Sequence, residues 1–164
     1  MINLDEVIRQ LTNNAEAIRA LAQTISDEQA TWKPDPESWS MQEVMEHLYN
    51  EERTDFKLRL KWFFGEPSQR PEYLSVESIR QALDGFLAER QASIAWLSAL
   101  DAPDWNVTTL LRFGPDEAIT MSAGDMLLSW VEHDILHMRQ LVELRHGWNA
   151  RQASPHSLRY AGEW

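Results

Sequence analysis

The stretch Trp130-Val-Glu-His-Asp-Ile-Leu-His-Met-Arg-Gln140 sets the reading of this chain. It lies inside a segment that reads as one helix, opened by Ser122 with Asp125 three residues later and closed at about His146 by Gly147. Met126, Trp130, His133, His137, Leu141 and Leu144 share one arc of that helix, so both histidines point inward. Their i,i+4 spacing puts the two imidazoles on one turn, about 5–6 Å apart at Cβ, close enough to share a divalent metal. A buried histidine is more often a hydrogen-bonded core residue, and short motifs recur by chance. The rest of the chain must therefore supply a third ligand.

Working outward, three more amphipathic helices are predicted. Residues 3–25 carry a stripe of Leu4, Val7, Ile8, Leu11, Ile18, Leu21 and Ile25 behind an Asn3 N-cap. Ser40-Met-Gln-Glu43 is a capping box opening a helix to about Phe64, with Gly65 and Pro67 as the stop. Residues 75–100, capped by Ser75, form the third, with Val76, Ile79, Leu83, Phe86, Leu87, Ile94 and Leu97 in phase. Between the first two helices lies a loop, Ser26 to Ser40, holding Trp32, Trp39, Pro34 and Pro36; its rings are expected to fold back over one end of the bundle. Asp101 to Thr120 is not helical in pattern. Val107 to Phe113 is β-branched in character and Gly114-Pro115-Asp116 turns the chain. The expected fold is all-α: a four-helix bundle with a long non-helical excursion, a short hairpin being one form of it, between helices three and four. Residues 1–147 make the bundle and 148–164 a tail packed on the same domain.

The 164 residues include no cysteine, which removes disulfides, thiol nucleophiles and thiolate metal sites. A net charge of −11 argues against nucleic acid or anionic lipid as partner. No apolar run approaches the roughly 20 residues of a membrane span. Met1-Ile-Asn-Leu-Asp-Glu-Val7 lacks the basic and apolar regions of a signal peptide, so a cytoplasmic location is expected. Eight tryptophans suggest an aromatic-rich interior or pocket, and are compatible with a buried subunit interface.

His47, near the start of the second helix, lies at the edge of its inward arc, where bundle packing can bring it against the fourth helix. Three histidines with an open position describe a catalytic-type site for zinc, nickel, iron or cobalt. Glu51, Glu52, Asp55 and Arg59 also fall inside the second helix's arc, which fits either a polar cavity or a rotated helix. Arg90 sits in phase with the third helix's core stripe: paired with a buried acid on one reading, clamping an anionic ligand on the other. No Gly-rich phosphate loop and no strand–Ser–helix elbow is present.

The order of Ser38-Trp39-Ser40-Met41, Glu43-Val-Met-Glu-His47-Leu48, Ile119-Thr-Met-Ser122 and Trp130-Val-Glu-His133-Asp-Ile-Leu-His137-Met-Arg-Gln140-Leu141 resembles the DinB/YfiT-like metalloenzyme superfamily over nearly the whole chain. The resemblance implies a four-helix bundle whose divalent metal is held by His47, His133 and His137. It implies homodimers, and activities that include thiol S-transfer with bacillithiol, mycothiol or glutathione. The expected function is thus a metal-dependent transferase that activates a low-molecular-weight thiol for attack on an electrophile, with a metal-dependent hydrolase or a non-catalytic binding bundle as alternatives. The cofactor is expected to be one divalent transition metal, zinc or nickel first, with iron, cobalt or manganese also suited. Glu51 and Asp55 are the candidate bases, and Trp130 and Arg90 the candidate substrate-binding residues.

Overall fold

The computed structural model describes residues 2–66, 69–112 and 118–163. Helix α1 (Leu4–Ala22) starts at Asn3, whose side chain accepts from the Glu6 amide, and buries Val7, Leu11, Ala15, Ile18 and Ala22 at helical intervals. A five-residue helix, α2 (Asp27–Thr31), interrupts the loop that follows. The capping box at Ser40 and Glu43 opens α3 (Met41–Thr54) with both reciprocal bonds formed.

The second bundle helix is not continuous. It breaks at Asp55 (φ −124°, ψ −91°) and resumes as α4 (Phe56–Phe63). Thr54 and Asp55 both have low helix propensity, and the break re-phases the buried stripe. Gly65 then closes α4 in the left-handed region (φ 74°), with the Glu66 amide donating to the Lys61 carbonyl at 2.8 Å. Pro67, the other half of the expected stop, lies outside the described residues.

Helix α5 (Ile79–Ser98) is capped by Ser78, not by Ser75. The reason is tertiary. The buried Asn50 side chain exchanges two 2.8 Å bonds with the Leu74 backbone, and Glu46 accepts from the Val76 amide at 3.0 Å. These contacts strap the approach to α5 along α3 and delay the helix by one turn.

The excursion is an antiparallel hairpin, β1 (Thr108–Arg112) with β2 (Ala118–Ser122), in the register Thr108↔Ser122 to Arg112↔Ala118. The expected turn at Gly114–Asp116 lies outside the described residues. Ser122 ends β2 and caps α6 (Ala123–Gln152), bonding reciprocally with Asp125.

Helix α6 does not stop at Gly147. A Cβ there would lie 3.0 Å from Trp32 Cη2, so the glycine leaves room for a loop tryptophan and the helix runs on to Gln152. The expected 148–164 tail is therefore partly helix. Residues 154–163 are exposed throughout, including a single 3₁₀ turn at Arg159–Ala161. Among the described residues no helix is long and apolar enough to cross a membrane.

In the bundle, α1 packs on α5 and α6, and α3 packs on the same two, which places α5 and α6 on opposite corners. The core divides into two apolar clusters. One gathers Ile18, Met45, Leu48, Phe86 and Leu141; the other gathers Leu11, Phe56, Leu60, Leu97, Leu127 and Trp130. Between them lies a polar layer centred on Arg90, which is 2% exposed. Its guanidinium donates twice to Asp134 of α6 (2.7 and 2.8 Å), once to Glu52 of α3 (2.9 Å) and once to the Leu11 carbonyl of α1 (3.0 Å). Burial alone would lower the Arg90 pKa, but the Glu52 charge and the Asp134 bonds reverse this and keep it protonated.

Removing the guanidinium leaves two buried carboxylates without their counter-ion. Arg90→Ala is expected to cost about 3–5 kcal/mol, while Glu52→Leu, Arg90→Met and Asp134→Leu combined costs less than that single change. Urea unfolding midpoints of the two variants against wild type check this.

Candidate metal centre

His47 stands on the second turn of α3, and His133 and His137 stand one turn apart on α6. Packing of α3 against α6 turns all three rings towards one point. His133 Nε2 lies 3.2 Å from His47 Nε2 and 3.2 Å from His137 Nε2, and the three ligand nitrogens lie within 4.8 Å of one another. Nitrogens bound tetrahedrally at ~2.0–2.1 Å from one ion sit about 3.3 Å apart, so the donor set fits a divalent metal with little movement.

The protonation chemistry agrees with this. Gln140 Oε1 faces His137 Nδ1 at 2.9 Å, which holds the proton on that nitrogen and leaves the Nε2 lone pair free for the metal. Burial, then the charge of His137, lowers His47 to about 4. Burial, then the charges of His137, His47 and Arg90, lowers His133 to about 3. Burial lowers His137 as well, against the pull of Gln140 and Asp134. All three are neutral at pH 7, as ligation requires.

Two aromatic residues bracket the cluster. Trp39 lies 5.2 Å from the His47 ring and parallel to His137 at 6.3 Å. Phe56 lies 5.0 Å from the His133 ring. Two cavities reach the triad from different sides. One of about 450 Å³ touches His137 and is walled by Trp32 and Trp39. The other, about 760 Å³, touches His133 and Phe56 and runs along Leu128, Ile135 and Leu136 of α6.

The other candidates fare unequally. Glu51 follows His47 by one helical turn and is half-buried; burial, then the Asp55 charge, pushes its carboxyl above the ordinary range. Asp55 lies at the helix break, where its carboxylate binds Arg59, with Arg70 at 3.9 Å. Trp130 does not wall a substrate pocket. It is 1% exposed, stacks under Phe56 at 5.7 Å and donates its indole N–H to Glu52 at 3.0 Å. Arg90 does not receive a substrate carboxylate, because both its terminal nitrogens are engaged by Glu52, Asp134 and Leu11. The expected anion clamp gives way to the buried pair. Sequence reasoning missed Phe56, Gln140 and the role of Trp39. Trp39 had a legible signal, a tryptophan directly before the cap of the histidine-bearing helix; Phe56 falls on the apolar side of the second helix by periodicity, but its place against His133 follows from the break at Asp55.

The sequence profile of the DinB superfamily matches residues 10–141. The chain belongs to the DinB superfamily. YfiT from Bacillus subtilis, described as a probable metal-dependent hydrolase with an unusual four-helix bundle topology, superposes with a TM-score of 0.73 at 18% identity over 91% of both chains. That likeness establishes the fold. None of the curated proteins searched matches this chain. The DinB bundle and a three-histidine cluster together support a divalent metal as cofactor.

Calorimetric titration of the metal-free protein with zinc is expected to give about one ion per chain, and His133→Ala to weaken binding at least tenfold. Since burial lowers all three histidines and protons compete only as pH approaches their values, wild-type affinity should fall less between pH 7.5 and 5.5 than that of a site of ordinary imidazoles. Ordinary imidazoles, titrating near 6.5, would lose affinity over that range.

Proposed function

We propose that this DinB protein is a metal-dependent enzyme that activates a small nucleophile, with hydrolysis as the reading best supported. The observation that carries it is the convergence of three neutral Nε2 donors beside two open cavities. Bound there, a divalent metal supplies Lewis acidity and lowers the pKa of a water or thiol at its open position. His47, His133 and His137 hold it, and Gln140 orients His137. Glu51, with its carboxyl shifted toward neutrality one turn from His47, accepts the proton released by the nucleophile. Phe56 and Trp39 flank the rings on two sides and hold their orientation.

A thiol S-transferase is the second reading, favoured by one observation. The two cavities touch different histidines, and a two-substrate reaction needs two berths. That reading carries a cytoplasmic setting, where small thiols stay reduced. Zinc- or nickel-loaded protein is assayed with p-nitrophenyl acetate and, separately, with glutathione, bacillithiol or mycothiol plus monochlorobimane. Ester turnover that drops about 100-fold in Glu51→Gln supports hydrolysis; thiol-dependent turnover alone supports transfer; activity in neither assay sinks both.

We also propose a homodimer through α6. Its outer face exposes Leu128, Ile135, Leu136 and Val142, apolar residues at heptad-like spacing. The first three also line the His133 cavity, so the dimer would roof that cavity with the partner's α6 and stands as an alternative to its use as an open second berth. A two-fold axis between Ile135 and Leu136 would bring Glu132 of one copy opposite Arg139 of the other. Sedimentation equilibrium should give twice the 19.1 kDa chain mass, and Ile135→Asp with Leu136→Asp should give the monomer. A monomeric wild type overturns the dimer.

A further inference from the structure

We propose that the tryptophan-walled cavity beside His137 is the substrate berth and that it takes a hydrophobic organic cation. This rests on the enzymatic reading above and names the class of molecule it serves. The cavity, about 450 Å³, has a polar end at His137 and Gln140 and an apolar body formed by Trp32, Trp39 and Leu144. The charged residues among its lining are Glu37 and Glu143, both acids.

The cavity is built, not left over. Asp35 accepts from the Glu37 amide (3.0 Å), the Ser38 amide (2.9 Å) and the Ser38 hydroxyl (2.6 Å), which fixes the loop between the two tryptophans. The Ser40–Glu43 capping box anchors the far end of that loop. Trp32 seats against the backbone of Gly147, where a Cβ would come within 3.0 Å, and meets Trp148 edge-on at 5.9 Å. The Trp39 ring continues the wall to within 6.3 Å of His137.

Aromatic faces carry negative quadrupole charge and attract a cation lying within about 6 Å. The lining carboxylates of Glu37 and Glu143 add to that attraction, that of Glu143 in part offset by Arg139, 3.4 Å away. A carboxylate-bearing molecule meets repulsion from the same groups.

The probes are benzyltrimethylammonium, benzyl alcohol and phenylacetate, three phenyl compounds of differing charge, titrated into metal-free and zinc-loaded protein with tryptophan fluorescence and calorimetry as readouts. The cation should bind about tenfold more tightly than phenylacetate. Glu37→Gln with Glu143→Gln, both exposed and outside the histidine cluster, should bring the two within about threefold. Trp39→Ala should weaken the cation more than phenylacetate, because only the cation gains from the ring's quadrupole. His133→Ala should leave cation binding in place, so loss of the metal reading and loss of this one are told apart. Phenylacetate binding as well as the cation overturns the proposal, as does a preference unmoved by the double Gln variant or by Trp39→Ala.

Discussion

One guanidinium sets the register of this bundle. Arg90 reaches from α5 across the middle of the core to Asp134 on the opposite corner, and on the way engages Glu52 of α3 and the Leu11 carbonyl of α1. A neutral side chain could not make these four bonds, and lysine could not make them in one plane. The layer is incompletely satisfied, since Glu52 Oε1 and Arg90 Nε have no hydrogen-bond partner among the described residues. Ionic layers of this kind are weak sources of net stability but strict about geometry, because a shifted helix strands a buried charge.

That strictness is what the metal centre needs. Glu52 lies five residues after His47 on α3, and Asp134 directly follows His133 on α6, so the helices that Arg90 ties together are the two that carry the ligands. Trp130 extends the tie by donating to the same Glu52 oxygen while stacking on Phe56, which in turn faces His133. The protonated guanidinium also helps keep His133 neutral. The apolar clusters on either side hold the bundle closed, and the polar layer sets its register at the level of the three imidazoles.

Much of this was legible in local patterns. Helix starts at Asn3, Ser40 and Ser122 follow from side chains that cap their own turns, an interaction contained within four residues. The pairing of His133 with His137 is a property of one helical turn. Where a partner lay far along the chain, local reading failed. Ser75 loses the cap because Asn50 and Glu46 hold the preceding strap extended, and Gly147 reads as a stop only until Trp32 is known to fill the space above it. Trp130 and Arg90 look like pocket residues by phase, yet phase cannot say whether an inward side chain meets a cavity or another side chain.

The sequence by itself determined the four long helical segments, the hairpin-like excursion and the pairing of His133 with His137, because periodicity, capping and i,i+4 spacing are short-range consequences of backbone geometry. Only the tertiary structure decided that α3 breaks at Asp55, that Arg90 closes a buried ionic layer in place of binding substrate, and that Phe56, Trp39 and Gln140 shape the site. Those outcomes depend on which surfaces of four helices meet, and the energies that settle it, burial of charge and filling of space, exist only once distant residues are in contact.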